Sequence, residues 1–198
     1  MTGILLTARR LAAIEVVHHR NQRRALALAA FVLLTAFGAY AAVPVPGSQV
    51  PVTLQTLFVS LAGVLLGPRL GAAAMATYVL TGFLGAPVFA TGFGGPGVLL
   101  GPTGGYLLAF PAAAAVTGLL APRAHAVSVA ALVRLGAAIF AGTLVVLVGG
   151  WAQLSLLTGD AGRAFALGVA PFLLGDVVKT LLALAIAQRV RNRTLGLL

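Results

Sequence analysis

Apolar residues in this chain come in long blocks, without the alternation of period two that marks a half-buried strand or the single stripe that marks a surface helix. Residues 25–43 contain no charged side chain, and further blocks follow at 52–66, 70–84, 106–120, 135–151 and 172–188, of which only the last carries charges, Asp176 and Lys179. A helix that is apolar on all sides is stable only when protein or lipid surrounds it. Roughly 17 to 25 such residues cross a bilayer, and shorter segments suffice when neighbours shelter them. The pattern predicts an all-α integral membrane protein with six transmembrane helices in a single membrane domain, residues 1–198. Its parts are a basic N-terminal segment (1–24), a six-helix bundle (25–188) and a basic tail (189–198).

Turn residues separate the blocks. Pro44, Pro46, Gly47 and Pro51 forbid a continuing helix after the first. Gly67, Pro68 and Arg69 read as the tip of a tight hairpin between two short helices. A glycine-rich stretch fills 85–105, and Pro122 closes the fourth helix. Residues 163–187 are long enough to span, but Pro171 sits inside them, and proline is best tolerated in a first turn. The sixth helix is therefore expected to start near Pro171 and to cross as residues 172–188, about 25 Å at about 1.5 Å per residue. Residues 156–170 are left as a partly helical external segment. Leu11, Ile14 and Val17 are spaced for one face of an interfacial helix over residues 4–17. The apolar run after Arg24, with Ala39 and Ala41, also mimics a cleavable signal, but the leader before it is long and basic and the next span follows at once.

Charge sets the orientation. Arg9, Arg10, Arg20, Arg23, Arg24, Arg69, Arg123, Arg134, Arg189, Arg191 and Arg193 all fall in segments on one side of a six-span alternation; the remaining two of the 13 basic residues are Arg163 and Lys179. Positive charge in short loops accumulates on the cytoplasmic side, so both termini are expected in the cytoplasm, the membrane being the cell inner membrane. With 60% hydrophobic residues, 8% charged and a mean hydropathy of +1.07, the solvent for most of the chain is lipid, since soluble domains are about a quarter charged. The net charge of +10 follows from this topology and does not indicate a nucleic-acid surface, because the arginines separate apolar blocks and form no patch. There is no cysteine, hence no disulfide and no thiolate site.

Beyond residue 24 the acids are Asp160 and Asp176 alone. Metal-dependent membrane enzymes need several carboxylates or histidines at one site, and His18, His19 and His125 lie beside arginines in cytoplasmic segments, so no metal, cofactor or catalytic group is expected. Asp176 and Lys179 are three apart and share a helix face. Charges facing lipid are costly, so both must point into the bundle, either to bind a ligand or to fasten helices. Gly94, Gly95, Gly104 and Gly105, flanked by Phe89, Phe93 and Tyr106, suggest a lid whose backbone approaches a ligand while aromatic rings cover it; the plainer reading is an external connector. Thr53, Gln55 and Thr56 form a polar cluster at the external end of the second span, serving a ligand or capping the helix through Thr53.

Five blocks, PVTLQTL (51–57), LLGPRLG (65–71), GAPVF (85–89), GPTGGYLLAF (101–110) and GDVVK (175–179), together resemble the substrate-binding S components of energy-coupling-factor (ECF) vitamin transporters, and within them the biotin-specific BioY family. The resemblance covers most of the chain. It implies an S-component-like bundle that captures biotin from outside, closed by the loop between helices three and four, with Asp176 and Lys179 in the pocket. It also implies a membrane coupling protein and two ATPase subunits as partners, with Ala25 and Ala29 at the spacing expected for contact with the coupling protein. The chain has no Walker A lysine motif of its own. The alternative is a solitary vitamin or small-molecule transporter of another specificity that works without an ATPase module.

Overall fold

The computed structural model describes the backbone of residues 2–90, 92–122 and 128–195, and the side chains of 20–90, 92–122 and 128–190. Arg123 and His125, and the side chains of Arg9, Arg10, Leu11, Ile14, Val17, His18, His19, Arg191 and Arg193, lie outside these.

The described chain is helical: α1 (Thr2–Tyr40), α2 (Gln55–Phe83), the short α3 (Pro96–Leu100), α4 (Gly104–Leu120), α5 (Val129–Thr158), α6 (Ala161–Gly168), a 3-10 turn (Ala170–Phe172) and α7 (Leu173–Leu195). Among the described residues the one departure toward β structure is an isolated bridge between Val43 and Val52. Four stretches, Arg20–Tyr40, Gln55–Phe83, Val129–Thr158 and Ala161–Val190, are long and apolar enough to cross a membrane, and Gly104–Leu120 is a shorter apolar helix.

α2 is two helices. Gly67 has φ 79° and ψ 175°, a conformation that breaks the helix and that side chains disfavour, and Pro68 follows it. The limbs fold back on each other, since a methyl group on Gly71 would lie 2.8 Å from the carbonyl oxygen of Ala62. With the four long apolar helices and the shorter one, the described chain is the all-helical membrane bundle that the block pattern predicts, and the break at Gly67 falls where the hairpin was expected.

Helix limits differ from those expected: α1 is continuous from Thr2 to Tyr40, joining the 4–17 helix to the first span, α5 starts at Val129, ahead of Leu135, and two further limits have a local cause. The second helix begins at Gln55 and not at Val52, because Val52 exchanges both backbone hydrogen bonds with Val43, at 2.8 and 2.9 Å, which commits residues 43–52 to a hairpin-like loop. α5 runs to Thr158, seven residues beyond Trp151, because Ser155 and Thr158 turn their hydroxyls back onto the carbonyls of Trp151 and Leu154. Thr35, Thr77, Thr81 and Thr143 do the same four residues back, which is how a hydroxyl is accommodated in an apolar helix. The sixth long helix starts just past Pro171, as its sequence requires.

The centre of the bundle is α2 against α4 and α4 against α5, with α1 and α7 packed on α2. Small residues allow close crossings: Gly63 of α2 meets the backbone of Ala114 on α4, and Gly105 of α4 meets the backbone of Gly149 on α5. Tyr78, Phe89, Phe110 and Met75 fill the interior, while Leu26, Leu33, Phe37, Leu156 and Leu174 stand exposed as a membrane requires.

Candidate binding site

The polar groups of the bundle converge where α2 and α7 begin. Asp176 lies in the first turn of α7, where the helix dipole favours an anion. The same dipole disfavours Lys179 one turn later, and two acceptors hold it: Asp176 Oδ1 at 2.5 Å and the Thr53 carbonyl at 3.2 Å. Both side chains are buried, at 8% and 6% exposure for Lys179 and Asp176. The network continues into α2. Thr53 donates its hydroxyl to Gln55 Oε1 (3.0 Å), Gln55 Nε2 donates to the Tyr78 hydroxyl (2.7 Å), and that hydroxyl donates to the Val88 carbonyl (2.7 Å). Thr53 also accepts weakly from the Gln55 N–H, at 3.4 Å, while Leu54 holds the N-cap position.

This network forms the polar wall of a cavity with about 590 Å³ of atom-free space, its open mouth included. The other walls are apolar: Tyr106, Leu107, Phe110, Val146, Leu147 and Phe172. Val50, Pro51 and Ala90 bring the loops after α1 and α2 over it, and Thr103 lies at the start of α4. An ammonium has three donors, of which two are engaged here, and Asp176 Oδ1 has no aligned hydrogen-bond partner despite its closeness to Lys179. The cavity thus offers a carboxylate acceptor and a spare ammonium donor beside an apolar slot. Asp160, the other acid after residue 24, caps α6 by accepting from the N–H groups of Gly162 and Arg163 at 2.8 and 3.0 Å.

Six residues singled out from the sequence, Thr53, Gln55, Thr56, Tyr106, Asp176 and Lys179, meet at the cavity. Tyr106 lays its ring over Gly150 and donates its hydroxyl to the Gly168 carbonyl at 2.6 Å, which ties the α6 turn to the cavity wall. The others are placed apart from it. Phe89 is buried against Tyr78 with ring centroids 5.7 Å apart, Phe93 is exposed, and Gly94 packs on the backbone of Gly85 and Ala86. Gly95 N–H donates to the Gly82 carbonyl at 2.6 Å. Gly104 meets Leu99, and Gly105 meets Gly149 and Gln153. Gln153 also donates to the carbonyls of Leu99 and Gly101 at 2.9 and 2.7 Å, pinning α3 to α5. Ala25 and Ala29 are exposed on α1.

Phe110 and Phe172 were legible by spacing, one helical turn after Tyr106 and one before Asp176. Val146 and Leu147 have no such signal.

Relatives share this organisation along nearly the whole chain. The sequence profile of the BioY family matches residues 9–195. The chain belongs to the BioY family. It is 42% identical over 167 residues to a protein of Pyrococcus horikoshii described as a probable biotin transporter BioY, covering 84% of this chain and 95% of that one. A biotin transporter BioY of Thermotoga maritima is 40% identical over 162 residues, 82% of this chain and 92% of the relative. A crystal structure of the S-component for biotin from an ECF-type ABC transporter superposes with a TM-score of 0.75 at 23% identity, covering 87% of this chain and 92% of that one. This BioY chain therefore has the S-component fold and is a multi-pass membrane protein, and the profile match includes every cavity residue named above.

Proposed function

We propose that this chain is the substrate-binding S component of an ECF-type transporter and captures biotin at the outer side of the cytoplasmic membrane for uptake. The observation that carries the reading is the buried Asp176–Lys179 pair with unspent hydrogen-bonding capacity in an otherwise apolar cavity. Biotin matches it: ureido N–H groups suit the carboxylate, carbonyl and carboxylate oxygens suit the ammonium, and the rest is apolar. The names of the relatives point to the same ligand. The ligand is carried unchanged.

In this reading residues 1–24 and 189–198 are cytoplasmic, residues 25–188 form the bundle, and Arg69 marks the inner hairpin. Energy comes from partners, a membrane coupling protein and two ATPases. Ala25 and Ala29 on the exposed side of α1 offer the coupling protein a surface of small residues.

One experiment tests capture and orientation together, and the absence of native cysteine makes it clean. Gln49 and Arg69 are both exposed, and Gln49 adjoins the cavity-lining Val50. In intact cells a membrane-impermeant maleimide is expected to label Gln49→Cys and not Arg69→Cys, and saturating biotin in the medium is expected to slow labelling at Gln49→Cys. Labelling of Arg69→Cys from outside contradicts the orientation; an unchanged rate at Gln49→Cys contradicts capture from that side.

A further inference from the structure

The hydroxyls of Thr35, Thr77, Thr81, Thr143, Ser155 and Thr158 each bond the carbonyl four residues back. Thr56 does not. Its counterpart carbonyl belongs to Val52, which lies before the helix and already accepts from the Val43 N–H at 2.8 Å. Thr56 Oγ1 is left buried without a partner. Among the described residues three other buried side-chain atoms lack a hydrogen bond: the hydroxyls of Thr117 and Thr180, and Asp176 Oδ1, which is ion-paired with Lys179 at 2.5 Å. Thr117 is wedged against Gly142 at the crossing of α4 and α5, and neither Thr117 nor Thr180 lines the cavity. Thr56 and Asp176 both do.

A buried polar atom without a partner costs free energy, and Thr56 Oγ1 at the cavity marks what its occupant must supply, beside a carboxylate whose one charged neighbour leaves it further acceptor capacity. The neighbours are already committed: Gln55 donates to Tyr78 and accepts from Thr53, whose carbonyl accepts from Lys179. Asp176, ionised, can only accept; a hydroxyl can donate. We infer that Thr56 is a specificity-determining residue whose hydroxyl donates to a carbonyl oxygen of the ligand while Asp176 accepts from an adjacent N–H, so that the two read a cyclic urea or amide as a unit. The inference rests on the proposal that the ligand is biotin, whose ureido group has this donor–acceptor pattern.

The test measures affinity of purified wild type, Thr56→Val and Thr56→Ser for biotin and for 2-iminobiotin at neutral pH. In 2-iminobiotin the ureido oxygen is replaced by a nitrogen that carries hydrogen and cannot accept. Valine keeps the branched shape of threonine, so packing is conserved. Thr56→Val is expected to weaken biotin binding by about tenfold, the scale of one hydrogen bond with its partner left buried. Thr56→Ser is expected to restore most of it. The loss should vanish with 2-iminobiotin, since the two changes remove the same contact. Ligand-free thermal stability of Thr56→Val should be unchanged or higher, because an unpaired hydroxyl has been removed. An equal loss with both ligands, no loss with biotin, or a less stable ligand-free Thr56→Val overturns the inference. Wild type that binds neither ligand overturns the biotin reading itself, a separate result.

Discussion

Replacing Asp176 by Leu and Lys179 by Met together is expected to leave a folded protein that binds biotin at least about a hundredfold more weakly than wild type. The pair is buried and three residues apart, so removing one member strands the other. Asp176→Asn alone leaves Lys179 with the Thr53 carbonyl as its remaining acceptor, and such one-sided breakage of a buried pair costs about 3 to 5 kcal/mol. Apolar replacement of both avoids the stranded charge and is often neutral for stability. Affinity is another matter. Each charge-assisted hydrogen bond to the ligand contributes about 1.5 to 3 kcal/mol, and leucine and methionine cannot rebuild it. Thermal stability and biotin affinity of wild type, both single variants and the double variant in one detergent separate the two roles. A stable double variant with near-normal affinity means that the pair only fastens α7 to the loop before α2.

The second large effect concerns the glycines. Gly105→Ala is expected to lower stability by about 1 to 3 kcal/mol or more, because its methyl would collide with the backbone carbonyl of Gly149 and crowd Gln153, forcing α4 away from α5. Gly136→Ala, in α5, is the control. Its methyl would have the Leu184 side chain as nearest neighbour at 4.0 Å, and the gain in helix propensity should leave stability unchanged or slightly raised. Thermal unfolding of the two variants side by side checks the difference. Equal stabilities would mean that the α4–α5 crossing is looser than its geometry.

These two sites show where the sequence was legible. The charged pair stood out because the medium is apolar: in lipid a lone Asp and Lys have few inexpensive positions, and spacing alone put them on one face. The hairpin was equally plain, since Gly67 and Pro68 interrupt an uncharged block beside an arginine. The glycines of 94–105 were ambiguous for a physical reason. Close approach of a backbone is needed both by a ligand and by a neighbouring helix, and a glycine reports the need without naming the partner. Here Gly104 and Gly105 meet Leu99, Gly149 and Gln153. Phe89 poses the same question, and its ring packs on Tyr78 under Gly82. The apolar walls, Val146 and Leu147 above all, were invisible because lipid-facing and cavity-facing side chains are chemically alike in a membrane helix, so the inside–outside contrast that marks a soluble core is missing. Thr56 became meaningful only with the Val43–Val52 bridge, which engages the carbonyl its hydroxyl would otherwise use.

The central claim, that the cavity takes biotin, is tested most directly by the small molecule the protein carries. The chain is produced in cells supplied with biotin, purified in detergent without added ligand, denatured, and the released molecules are quantified by mass spectrometry against protein concentration. The account predicts biotin at near one molecule per chain in wild type and its loss from the Asp176→Leu, Lys179→Met double variant. A different vitamin at that level, or lipid alone with no biotin bound on titration, would contradict it.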